Sequence, residues 1–239
     1  MANILRNYIL WPILALLSTA VIYLVLVLSL YNFFIRFNNV EELLWKGFVK
    51  KSLVIINDQR SEKLQLVINN LPSSILSKEN SDIKIIVTES PEINAFSAPG
   101  KRVILTTGLL NQIKSEKALL FIIGHEISHL LRKDHLYELS RILVSKIYSV
   151  ITLSDLFSES VNMIDNQKVK RSEFIADQYA LKLIYQIYGN ASDIENIFYI
   201  LKYNKKISYP QQHLLTHPDI QDRINRLQLL ISKQQSDDR

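Results

Sequence analysis

Between Arg6 and Arg36 the chain carries no charged residue, and from Tyr8 to Tyr31 it is almost wholly apolar (YILWPILALLSTAVIYLVLVLSLY). Hydrocarbon offers no hydrogen bonds, so a single segment can enter it only as a helix that satisfies its own backbone. At ~1.5 Å rise, roughly 24 residues reach about 36 Å, enough to cross a ~30 Å hydrocarbon core with some tilt. Tyr8 and Trp11 at one end, and Tyr31, Phe33 and Phe34 at the other, fit the aromatic belts of a membrane interface. A cleaved leader would have a shorter apolar core closed by small residues, whereas this run ends in bulky ones. A buried helix of a soluble protein is seldom apolar on every face for so long. The sequence therefore predicts one uncleaved span, with residues 8–31 in a lipid bilayer. Arg36, Lys46, Lys50 and Lys51 outnumber Arg6 across it, which leans the remainder of the chain towards the cytoplasmic side of a cell membrane.

The remainder reads as a folded body. Hydrophobic residues make up 48% of the chain and Gly and Pro number only 5 and 6, against a disordered or loop-dominated protein. Its 28 basic and 23 acidic residues are interspersed rather than gathered into a patch, which excludes a nucleic-acid partner. With no cysteine, there is no disulfide and no thiol nucleophile, and any metal must be held by histidines and carboxylates. Asn39 followed by Glu42 resembles a capping box opening a helix to about Ile56, and a second helix spans Ser61–Leu71. Ile83–Thr88 and Arg102–Thr107 are β-branched and read as strands, with a turn at Pro99-Gly100. Helices are expected from Ser115 to about Lys133, at Arg141–Leu153, Val169–Tyr188, Ala191–Lys205 and Pro218–Lys233. Strands that precede a mainly helical remainder define an α+β class. The implied organisation is an anchor over 1–36, a juxtamembrane helical region over 37–80, a domain over 81–233 and a polar tail over 234–239.

Within the expected helix after Ser115 stands His125-Glu126-Ile127-Ser128-His129. Histidines one turn apart share a helix face and can hold one metal, while Glu126, about 100° around the axis, can approach a metal-activated water as a general base. Placing these groups among Phe121, Ile122, Ile123, Ile127 and Leu130 without partners would cost several kcal/mol; a metal removes that conflict. A catalytic zinc takes a third protein ligand. His135, His213, His217 and the carboxylates are the candidates. Glu173 and Asp177, one turn apart, could supply a ligand and an acceptor for an imidazole N–H, or could be two solvated acids.

These blocks resemble the M48 family of zinc metalloproteases. The likeness covers about Asp82 to Leu227, in order: Asn94-Ala95-Phe96-Ser97-Ala98-Pro99-Gly100 leading to Thr107-Gly108-Leu109-Leu110; Ile123 to His129; Glu173-Phe174-Ile175-Ala176-Asp177; and Thr216-His217-Pro218 with Arg223-Ile224 and Leu227. The resemblance implies a zincin-like domain with a small sheet and an active-site helix, and one zinc ion per chain on His125, His129 and Glu173. It implies Glu126 as catalytic base, Asp177 as orienting carboxylate, and His217 as oxyanion partner with Arg223 nearby. It also implies an edge strand at Asn94, Ala95, Phe96 and Ser97 that holds polypeptide substrates. Protein quality control at a membrane, of the bacterial inner-membrane kind, is the implied role; self-association is left open. The alternative is a non-catalytic zinc-stabilised module that holds unfolded chains. Two departures stand out. Ala118 replaces the family's usual Glu, losing half of the capping box with Ser115. The stretch between His129 and Glu173 lacks the spans found in multi-pass members. His135 and His213 are expected at the surface, outside the site.

Overall fold

A computed structural model of the chain describes residues 10–69, 71, 82–113, 115–152, 156–192, 194 and 220–237. Its contacts divide it into two units: Met1–Asn38 with Leu136–Asn166, and Asn39–His135 with Gln167–Arg239.

In the first unit the apolar run forms helix α1 (Trp11–Arg36), with a proline in its first turn, where a missing N–H costs nothing. Among the described residues it is the one helix long and apolar enough to cross a membrane. Leu17, Val21, Ile22 and Val25 are exposed, while Tyr23 and Val27 are buried and pack with Val144.

The second unit begins at Asn39 within a short helix α2 (Asn38–Leu44), continues through a π turn (Trp45–Val49) and a 3-10 turn (Lys50–Ser52), and then extends as β1 (Ile55–Ile56). The helix expected to reach Ile56 therefore stops at Ser52. Val54, Ile55 and Ile56 are β-branched, and pairing with Thr88 and Val87 gives their backbone a ladder to join. After α3 (Gln59–Asn69) come β2 (Lys84–Thr88), β3 (Ala95–Ala98) and β4 (Arg102–Thr106), forming one mixed sheet in the order β1-β2-β4-β3. β4 is buried along its whole length and pairs in parallel with β2, which explains its near-continuous apolar sequence. β3 lies at the sheet edge, antiparallel to β4, with Ala95 opposite Leu105 and Ala98 opposite Arg102.

Helices follow: α4 (Thr107–Gln112), α5 (Glu116–Leu131), α6 (Asp134–Thr152), α7 (Leu156–Tyr188) and α8 (Ile220–Asp237). Both α6 and α7 start earlier than their sequence pattern suggests. The helix expected at Ala191–Lys205 lies almost wholly outside the described residues. Ser115 still caps α5, its hydroxyl accepting the Ala118 N–H at 3.3 Å, so the missing glutamate removes only the reciprocal half of the box. One sheet face joins α3, α5, α7 and α8 in the main core, from Leu64 and Val103 through Phe121 and Ile123 to Leu183 and Leu227. The other face is closed by Trp45 over Ala98 and Ile104.

Glu41 of α2 ties this second face together. Its buried carboxylate accepts the Gly100 N–H at 2.9 Å and the Lys133 ammonium, with His135 Nε2 3.6 Å away. His135, expected at the surface, is thus a buried partner of Glu41, its side chain 7% exposed. The tie holds two turns of unfavourable backbone, since Lys101 and Lys133 both have positive φ, 57° and 59°. Burial opposes the charge on Glu41, but the His135 imidazole close by and hydrogen bonds from Lys133 and Gly100 outweigh it and hold its carboxyl down at about 2, against an ordinary 4.5. A depressed carboxylate stabilises the fold above its unfolded pKa and loses that contribution as pH falls through the folded value. Glu41→Gln is expected to cost about 2 kcal/mol at neutral pH in urea unfolding in detergent. That difference from wild type should narrow below pH 4.5 and close near pH 2.

Candidate metal centre

The centre is made where α5 and α7 approach closely. A Cβ on Gly124 would come 3.2 Å from the Ala180 Cα and 2.9 Å from a Leu183 methyl, so glycine sets the spacing of the two helices at this level. Ala176, one turn before Ala180 on α7, is fully buried. The approach brings Glu173 and Asp177 of α7 onto the histidine face of α5.

His125, His129 and Glu173 each offer one donor atom, and these atoms all lie within 4.8 Å of one another. The separations are 3.1 Å between the two Nε2 atoms, 3.4 Å from His125 Nε2 to Glu173 Oε2, and 3.3 Å from His129 Nε2 to Glu173 Oε1. Ligand bonds of ~2.0–2.1 Å at tetrahedral angles place neighbouring donors about 3.3 Å apart. The three atoms therefore have the spacing of one face of a tetrahedron around a zinc-sized ion.

Both Nδ1 atoms point away from that face onto carboxylates. His125 Nδ1 donates to Asp177 Oδ1 at 2.8 Å, and His129 Nδ1 donates to Asp134 Oδ2 at 2.8 Å. Each bond fixes the tautomer that leaves an Nε2 lone pair facing the centre. Asp134 was not among the residues the sequence singled out. It starts α6 after a reversal at Lys133, and it also accepts from the Ser172 hydroxyl at 2.7 Å and pairs with Arg132 at 2.8 Å. Only its place five residues after His129 hinted at this, because the turn that folds it back depends on the positive φ at Lys133.

Arg223 of α8 completes the polar shell. Its Nη2 and Nε reach Asp177 at 2.6 and 2.9 Å, and its Nη1 lies 3.0 Å from Glu173 Oε2. Burial disfavours both second-layer aspartates as anions, but hydrogen bonds from Arg223 and His125 lower Asp177, and those from His129 and Ser172 lower Asp134. His129 is raised to about 9: burial opposes its protonation, while Asp134 and Glu173 hydrogen bonds and the charges of Glu126 and Glu173 reverse that. The same field favours a metal cation. Glu126, Glu173 and Asp177 are 3, 4 and 2% exposed and face one buried guanidinium, Arg223. With both imidazoles neutral, as metal ligation requires, the acids exceed the guanidinium by two charges, which a divalent ion would cancel.

The structure thus gathers His125, Glu126, His129, Glu173, Asp177 and Arg223, while His213 and His217 lie outside the described residues. Ala95, Phe96 and Ser97 fall in the edge strand, and Asn94 just before it donates its N–H to the Thr106 hydroxyl at 3.0 Å and accepts from that hydroxyl at its carbonyl at 2.9 Å. Breaking the Asp134 contact should loosen His129: Asp134→Asn is expected to weaken metal affinity about 10–100-fold, measured by chelator competition.

Two imidazoles and a carboxylate around one point, with a second glutamate adjoining, are the donor set of a mononuclear metallohydrolase. The chain belongs to Peptidase family M48, whose family model matches residues 58–231. It is 34% identical over 90 residues to the mitochondrial metalloendopeptidase OMA1 of Danio rerio, covering 34% of this chain and 18% of that protein. It is 33% identical over 93 residues to the Bos taurus mitochondrial metalloendopeptidase OMA1, covering 36% and 17%. The Arabidopsis thaliana mitochondrial metalloendopeptidase OMA1 is 29% identical over 75 residues, covering 31% and 16%. The matches thus span less than a fifth of each relative's length.

Proposed function

We propose that this chain is a zinc-dependent endopeptidase of zincin-like architecture, held at a cell membrane by α1 and acting on misfolded or membrane-associated polypeptides. The observation that carries the reading is the tetrahedral spacing of His125 Nε2, His129 Nε2 and Glu173 in a pocket with excess negative charge. These three residues would hold one zinc ion. What zinc supplies when bound is Lewis acidity towards water and towards the scissile carbonyl.

The protein's own groups do the rest. Glu126 takes a proton from the attacking water as its oxygen bonds to the carbonyl carbon, and returns it to the amine as the C–N bond breaks. Asp177 and Asp134 keep the imidazoles in the required tautomer, and Arg223 favours the charged form of Asp177 while its Nη1 lies 3.0 Å from Glu173 Oε2. His217, by resemblance, would donate to the developing oxyanion. An extended substrate would add to the outer edge of β3 at Ala95–Ala98, a mode that reads backbone more than side chains. This suits clients defined by being unfolded rather than by sequence.

The test is cleavage of an unfolded polypeptide by the full chain in detergent, with metal content measured alongside. One zinc per chain, cleavage lost with a chelator and restored by zinc, is the expected result. Zinc bound at one per chain with no cleavage of any unfolded substrate would favour a non-catalytic holding module instead.

A further inference from the structure

A tyrosine hydroxyl at the middle of an apolar helix is costly in hydrocarbon unless another polar group meets it. Tyr23 of α1 is such a residue. It is 4% exposed, and its hydroxyl lies 2.8 Å from Ser145 Oγ and 3.4 Å from the Arg141 carbonyl oxygen, both on α6. Further along α1, Tyr31 meets Tyr137 edge-on, with ring centroids 5.7 Å apart. Val27 and Val144 fill the space between, with Leu30 and Tyr137 against them. The order of contacts is reversed between the helices, so α6 runs antiparallel to α1, its residues 137–145 alongside residues 31–23.

The surroundings at this level are apolar. Leu24, Val25, Leu26 and Leu28, on the sides of α1 turned from α6, are exposed, and so are Leu143 and Ile147 on α6 itself. Polar groups on this stretch of α6 are answered locally: Ser140 Oγ donates to the Leu136 carbonyl at 2.7 Å, and Arg141 pairs with Glu138 at 2.6 Å. Ser149 Oγ donates to the Lys146 carbonyl at 3.0 Å. Lys146 is exposed, and its long stem can carry the ammonium towards headgroups.

We propose that α6 from Leu136 to Ser149 is a second membrane-embedded element, entering the hydrocarbon beside α1 with lipid acyl chains against Leu143 and Ile147. This rests on the reading of α1 as a membrane span. Eight residues of helix separate Tyr31 from Tyr23, about 12 Å, so Ser145 lies about that far below the aromatic belt, approaching the centre of a ~30 Å core. Alone, α6 carries too many charges to insert. Pairing with α1 makes insertion favourable, because each helix supplies the other's hydroxyl partner and tight apolar contacts.

The chain has no cysteine, so single-cysteine variants report without background. Leu17→Cys, Ile147→Cys and Leu66→Cys place probes at positions 59, 59 and 62% exposed, where a label displaces no packing. Each full-length protein, labelled with an environment-sensitive fluorophore, is reconstituted into phosphatidylcholine vesicles containing lipids with a nitroxide quencher on the acyl chain. Expected is a comparable loss of fluorescence at 17 and 147, and none at 66. Quenching at 17 with 147 as bright as 66 would overturn the embedding of α6 while leaving the span intact. Failure of quenching at both 17 and 147 would overturn the span and this proposal with it.

Discussion

Glu126→Gln is expected to reduce cleavage of an unfolded polypeptide by about 10²–10⁴-fold while the protein still purifies with one zinc per chain. The substitution keeps size and shape but removes the proton acceptor. Glu126 is 3% exposed on α5, next to a proposed ligand but outside the triangle of donor atoms. Removing its charge does weaken the field that draws cations, since Glu126 contributes to the raised proton affinity of His129. The contribution is secondary, because Asp134 and Glu173 hydrogen bonds act more strongly on the same imidazole. Metal affinity should therefore fall modestly while turnover collapses. Metal content and rate are measured on the same sample. Unchanged cleavage would remove Glu126 from the mechanism, and loss of metal together with activity would recast it as a holder of the ion.

How much of this could be read from the sequence depends on the range of the interaction that fixes each part. Histidines one turn apart on an apolar helix are a local pattern, so α5 and its two imidazoles were legible from residues 115–131. Glu173 and Asp177 gave only a local spacing. Placing them against α5 requires the Gly124–Ala180 approach, which no periodicity encodes. The resemblance to M48 proteases bridged that gap. It did not reach Asp134, whose role rests on a left-handed residue, Lys133, that sequence rules do not expect to turn the chain. The same limit explains the early end of the helix after Asn39: a two-residue edge strand exists only because β2 is there to pair with it. His135 was misjudged for a related reason, since its burial depends on Glu41, distant in sequence.

The second large effect concerns Arg223. Among the described residues it is the one guanidinium set among the buried carboxylates of Glu126, Glu173 and Asp177, itself 6% exposed. Its protonated form is held above the ordinary value: burial opposes it, but Asp177 hydrogen bonds and the charges of Asp177, Glu173 and Glu126 more than reverse that. Arg223→Ala removes the paired guanidinium from Asp177 and its charge from beside Glu173, a loss of about 3–5 kcal/mol and on the order of 10 °C in the thermal midpoint. A divalent ion supplies the missing positive charge, so the loss should be largest after chelation and should shrink when zinc is added. Arg223→Lys should fall between, because one ammonium cannot span Asp177 and Glu173 as the fork does. The measurement is the thermal midpoint of each variant with and without zinc. Equal losses in both states would mean that Arg223 acts by packing alone. A loss concentrated in the zinc-free state would mean that the pocket's charge is balanced for an ion it is built to hold.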